Sequence, residues 1–205
     1  MEMGKNTSPT NAIDLLNYAV KYHSYGDLVN AEKSYRKALE HDCNSKIAYS
    51  NLGLICQFSG RMDEAIELYK RAIKIDPEFS NALTNLGYAY NLLGDYDKAY
   101  AATIKALKLQ PAEPIAHINL GSICQNQGNL DQALSSTLKA IEIAPDNPTA
   151  YINLGSIYKD IGDIDQALSA TLKSLELDPK SSISHMNLGG IYKYMGKLNL
   201  AIKAT

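Results

Sequence analysis

The chain has 205 residues, 45% of them apolar, with 20 Lys and Arg against 22 Asp and Glu, a formal net charge of -2 and a pI near 6.1. This composition suits a folded soluble protein and offers no long-range attraction to phosphate, which argues against nucleic acid and anionic membrane surfaces as partners. No run approaches the roughly 18 to 20 apolar residues of a membrane helix, and the opening MEMGKNTSPTN lacks the apolar core of a signal peptide, so cytoplasmic residence is expected.

Residues 1–11 are polar and are expected to form a disordered tail. From Ala12 onward the chain keeps a strict period of 34, in repeats 12–45, 46–79, 80–113, 114–147, 148–181 and a truncated 182–205. The first repeat departs from the others, with Ala19 and Cys43 where its successors carry Gly and Pro. In the next five, Gly53, Gly87, Gly121, Gly155 and Gly189 mark one register and Gly60, Gly94, Gly128, Gly162 and Gly196 a second. Ala31, Ala65, Ala99, Ala133, Ala167 and Ala201 keep the same time, as do Pro77, Pro111, Pro145 and Pro179. A fixed period of this size signals supersecondary units that stack on one another.

Within each repeat, apolar residues recur at helical spacing in two bursts separated by a glycine-centred turn, which predicts a helical hairpin of helix A and helix B. Pro114 and Pro148 fall at the start of helix A, where a missing N–H costs nothing. The first glycine series lies inside helix A, at a cost of about 0.5–1 kcal/mol each against alanine. Close crossing by helix B of the same hairpin accounts for it, the recurrent alanine of helix B serving the same approach from the other side. Helix B carries Tyr35 and Tyr69 in the first two repeats and Thr103, Thr137, Thr171 and Thr205 later, which predicts altered hairpin packing. In the sixth repeat the chain stops within helix B, and Ile191, Leu198, Leu200 and Ile202 are expected to lack a covering repeat. That end reads as a cut through a longer array or as a face that pairs with a second copy.

N-L-G-x-x-Y in helix A, then G-x-x-x-x-A, then the later Ala or Ser and Pro, resemble the tetratricopeptide repeat family over about 95% of the chain. The resemblance implies an all-α right-handed superhelical solenoid whose A helices line a concave groove. Groove-facing positions are then the second, fifth, sixth, ninth, twelfth and thirteenth of each repeat. The sixth is asparagine throughout: Asn17, Asn51, Asn85, Asn119, Asn153 and Asn187. A carboxamide both donates and accepts, so such a column can hold an extended backbone without demanding particular side chains. It is similar to the asparagine ladder of O-linked N-acetylglucosamine transferases, while asparagine is also common here in generic repeats, so binding and bracing both stand.

Around the column, Ile118, Ile152 and Met186 at the fifth position pair with small Ser122, Ser156 and Gly190 at the ninth. Gln125, Lys159 and Lys193 occupy the twelfth, with Asp160 partly cancelling Lys159. These residues, with Asn51, Asn85, Asn119, Asn153 and Asn187, form the candidate peptide-binding set. No lysine stands at a fifth position and no arginine at a sixth, so the carboxylate clamp of chaperone co-factors in this family is missing.

No catalytic constellation or cofactor is implied. Cys43, Cys56 and Cys124 are an odd set without CxxC spacing, His117 and His185 stand where sister repeats carry Tyr49 and Tyr151, and no metal-ligand spacing occurs. The expected function is a non-enzymatic scaffold that takes a protein or peptide segment in its groove. Alternatives are the substrate-recruiting arm of a larger bacterial glycosyltransferase-like enzyme and self-association through the last repeat.

Overall fold

The structure, a computed structural model, describes residues 11–204. Residues 1–10 of the expected tail and Thr205 lie outside the described residues, whereas Asn11 caps the first helix, its side chain accepting from the Asp14 N–H at 2.8 Å.

Among the described residues all regular structure is helical. The A helices are α1 (Ala12–Ser24), α3 (Lys46–Phe58), α5 (Ser80–Leu92), α7 (Pro114–Asn126), α9 (Pro148–Ile161) and α11 (Ser182–Tyr194). Each is followed by its B helix: α2 (Leu28–His41), α4 (Met62–Ile75), α6 (Tyr96–Leu109), α8 (Leu130–Ile143), α10 (Ile164–Leu177) and α12 (Leu198–Ala204). The fold is the all-α hairpin array of tetratricopeptide solenoids. No helix of the described residues is long and apolar enough to cross a membrane. Two compact units, Met1–Ala89 and Tyr90–Thr205, divide the chain inside α5.

Local chemistry sets the helix ends. Side chains of Asp27, Asp95, Asn129 and Asp163 each accept from the N–H three residues on, satisfying donors that the first helical turn leaves open. Pro114 and Pro148 open α7 and α9. At the A-to-B turn, Gly128 takes φ +77°, and Asn129 N–H then reaches back to the Cys124 carbonyl at 2.8 Å, a left-handed cap that a side chain would strain.

Hairpin geometry follows from the other glycine series. A Cβ added at Gly53 would lie 2.7 Å from the Tyr69 ring, at Gly121 2.3 Å from Thr137 Oγ1, and at Gly155 2.7 Å from Thr171 Oγ1. The residue whose identity changes from Tyr to Thr along the chain is therefore the one that meets the glycine. Thr171 Oγ1 donates to its own helix at the Ala167 carbonyl, 2.8 Å, whereas buried Thr137 Oγ1 has no hydrogen-bond partner among the described residues. The hydrogen that replaces the Gly121 side chain points at that oxygen, a weak C–H···O contact in place of a full bond. Ala31, Ala65, Ala99, Ala133 and Ala167 are fully buried on the facing helix.

In the C-terminal unit, Leu120, Cys124, Ala133 and Ile157 form one core cluster, with Tyr100, Ile104, Leu107 and Leu134 against it. Ile191, expected to be left open at the last repeat, is 1% exposed. It stands where Ile55, Ile123 and Ile157 stand in earlier repeats, and Ile157 packs against Leu120, Cys124 and Ala133 of the preceding hairpin. Ile202, by contrast, is 76% exposed, and Leu200 is exposed as well.

The N-terminal unit ties its two B helices with charge. Arg61 holds Glu32 through two guanidinium nitrogens at 2.8 and 2.6 Å, and Arg36 bridges Glu32 at 2.8 Å to Glu64 at 2.6 Å. The Arg61 hydrogen bond, against a smaller desolvation cost, lowers the Glu32 carboxyl from 4.5 to about 2. Burial pushes the Cys56 thiol up to about 11, which leaves it protonated and unreactive at neutral pH.

Gly121→Ala is expected to cost about 1–3 kcal/mol by overpacking, whereas Gly190→Ala should gain about 0.5–1 kcal/mol from lost chain entropy. A Cβ at Gly190 would meet nothing within 4 Å, and urea melts of the two variants give the comparison. Glu32 has a depressed folded pKa, so its contribution is present above pH 4.5 and fades as pH falls toward 2. Its arginine partners are more than a third exposed, so Glu32→Gln should cost only about 1 kcal/mol at pH 7 and low salt. The deficit should close between these two pH values in a series of melts.

Candidate functional site

The A helices carry the sequence-selected residues, and the structure sorts them by what their side chains already do. Asn17 is exposed, and Asn51, Asn85, Asn153 and Asn187 are half-buried, but Asn119 is only 5% exposed. Asn51 Nδ2 donates to Tyr35 Oη of the preceding hairpin at 3.0 Å, and Asn153 Nδ2 donates to the Ile118 carbonyl at 3.2 Å. Both carboxamides thus brace one hairpin against the one before it. Among the described residues, no donor reaches Oδ1 of Asn51 or Asn153. Each therefore keeps an accepting oxygen and the second N–H of its amide group.

The fifth-position residues diverge in exposure. Ile118 is buried in a cluster with Ala140 and Ala150, Ile152 is half-buried, and Met186 is 65% exposed. Apolar character is therefore offered by α11 and partly by α9, while α7 spends its isoleucine on the core. Lys159 and Lys193 are exposed.

Gln125 belongs to an arrangement that the sequence reading did not anticipate. Its Nε2 donates to Ser156 Oγ at 2.8 Å and to Asp160 Oδ2 at 2.6 Å on the next A helix. One repeat earlier, Asn91 Nδ2 donates to Ser122 Oγ at 3.1 Å, and its Oδ1 accepts from Asn126 Nδ2 at 2.9 Å. The rule is the same both times: the twelfth side chain of one repeat clasps the ninth and thirteenth of the next. From sequence alone Ser122 and Ser156 count only as small residues. Complementary polar side chains 31 and 35 residues apart, one period less three and plus one, were the signal available. Asp160, expected to offset Lys159, is instead held by Gln125.

Charge is unevenly placed in the C-terminal unit. Helix α7 contains no Asp, Glu, Lys or Arg, α9 has Lys159 and Asp160 in its last turns, and α11 has only Lys193. Helix α8 carries Asp131, Lys139 and Glu142, and α10 carries Asp165, Lys173 and Glu176, with Lys139–Glu142 and Lys173–Glu176 paired at 2.8 and 2.9 Å. His117 and His185 act locally, their Nε2 atoms lying 2.9 and 3.1 Å from the Pro111 and Pro179 carbonyls, which pins each inter-hairpin loop to the helix that follows. Among the described residues, no three His, Cys, Asp or Glu side chains gather as a metal site would require.

Comparison with known proteins gives the array its place. A tetratricopeptide repeat family model matches residues 112–180, a second matches 80–112, and a TPR repeat model matches 59–94. No curated protein matches the chain. Among solved structures, PilW, described as a widely conserved type IV pilus biogenesis factor, aligns at TM-score 0.83 and 22% identity, over 94% of this chain and 90% of its own. The Cut9–Hcn1 hetero-tetramer of the APC/C aligns at TM-score 0.89 and 19% identity, over 97% of this chain and 39% of that one. YrrB, described as a TPR protein with an unusual peptide-binding site, aligns at TM-score 0.61 and 23% identity, over 85% and 90% of the two chains. These identities make the likeness one of fold. With the recurrent glycine, alanine and proline framework, the helical hairpins and the family matches across residues 59–180, the chain belongs to the tetratricopeptide repeat family.

Proposed function

We propose that the chain is a protein-interaction module that holds an extended segment of a partner along its A helices. The observation that carries this reading is the asparagine column, and within it the accepting oxygen that Asn153 retains after its Nδ2 has bonded to Ile118. A backbone N–H of a bound segment is the donor such an oxygen suits. Each neutral hydrogen bond contributes about 0.5–1.5 kcal/mol net, so useful affinity comes from repetition along the segment and binding tolerates varied side chains. The exposed Met186 and half-buried Ile152 supply apolar contact beside the column. YrrB, a fold neighbour whose description includes a peptide-binding site, supports this reading by analogy of fold. The module is proposed as a binder and not as a catalyst.

The test is selection of a random 12-residue peptide library on the immobilised chain, followed by titration of recovered peptides. Asn153→Ala with Asn187→Ala should weaken capture about tenfold, the equivalent of roughly two neutral hydrogen bonds. Urea melts run in parallel should show a stability loss of about 1 kcal/mol from the broken Asn153 brace. Unchanged capture, or a library that yields no binders, would overturn the proposal.

A further inference from the structure

On the reading just given, Asn153 Oδ1 supplies an acceptor, and a hydroxyl beside it is suited to donate to the carbonyls of a bound backbone. We infer that Ser122 and Ser156 are such donors, and that the C-terminal unit takes an uncharged, extended peptide segment whose carbonyls meet the two hydroxyls one repeat apart. Ser122 Oγ accepts from Asn91 Nδ2 at 3.1 Å and Ser156 Oγ accepts from Gln125 Nε2 at 2.8 Å. A hydroxyl that accepts through a lone pair still has its proton to give, and among the described residues no acceptor takes the proton of either serine. The carboxamide clasp fixes each oxygen, so the proton is turned away from the inter-repeat bond. Ser156 lies three residues after Asn153 on the same side of α9. Its hydroxyl proton and the Asn153 Oδ1 therefore form an adjacent donor and acceptor, the pair that one peptide unit requires.

The repeat spacing agrees with a chain of this kind. Packed helices lie about 8–10 Å apart, and three residues of polyproline II or extended chain span about 9–10 Å. The carbonyl of every third residue can then meet a serine, and three residues per turn returns the same side of a polyproline II segment to the face each time. The placement of charge selects among such segments. Helix α7 has no ionised side chain and α9 only Lys159 and clasped Asp160, so a charged ligand residue over this stretch would lose hydration with little compensation.

The experiment uses the full chain and the random 12-residue library. Expected binders carry little net charge, their affinity changes less than about twofold between 0.05 and 0.5 M NaCl, and Ser122→Ala with Ser156→Ala weakens them about tenfold. Ser122→Thr with Ser156→Thr, which restores both hydroxyls, should recover most of the binding, a rescue that a loss of packing alone would not show. Acidic binders whose capture collapses with salt would assign recognition to Lys159 and Lys193 and overturn the inference. Binders indifferent to the alanine pair would overturn it while leaving the interaction module standing. Failure to recover any binder would remove both.

Discussion

A single glycine hydrogen directed at helix B sets how close the two helices of a hairpin come, and the rest of the array depends on that distance. At Gly53 the hydrogen faces a tyrosine ring, and at Gly121 and Gly155 it faces a threonine oxygen. The contact is short enough that even one methyl group would collide, which explains why a residue unfavourable in helices recurs in their middle. It also explains why the facing helix offers fully buried alanines at the crossing. Once the crossing is fixed, helix A presents an equivalent face in each hairpin.

The two compact units reinforce their stacking with different chemistry. In the N-terminal unit, Glu32, Arg36, Arg61 and Glu64 join consecutive B helices through charge-assisted hydrogen bonds. In the C-terminal unit, neutral carboxamides and hydroxyls join consecutive A helices, as Asn91 with Ser122 and Gln125 with Ser156. Neutral bonds of this kind respond weakly to salt and leave the A helices nearly free of ionised groups. One set of interactions thus both aligns the repeats and sets the polarity of the exposed face. Bracing and binding need not compete for the same residue, because a carboxamide or a hydroxyl has more than one hydrogen-bonding site.

Much of the array was legible in the sequence because it rests on a period. The glycine, alanine and proline registers place the twelve helices of the described residues, and the asparagine recurs once in each A helix. Burial of Ile191 follows from a helix having several sides: the equivalent Ile157 packs against the preceding hairpin, so this position needs no following repeat to cover it. The N-cap role of Asn11 and the carbonyl contacts of His117 and His185 depend on rotamers and loop paths that a pattern of residue types does not carry.

By itself the sequence determined the hairpin, its length, its turn and the recurrence of asparagine, since these follow from helical propensity, glycine's freedom at positive φ and a strict period of 34. Only the tertiary structure decided what each asparagine is free to do. Asn119 is buried, and Asn153 spends one of its two amide N–H groups on Ile118. Ser156 gains a fixed hydroxyl because Gln125 of the previous repeat clasps it. Identical residues in identical positions differ in their bonding here because a hydrogen-bonding group is defined by the partner that packing brings to it, and that partner lies a repeat away in the chain.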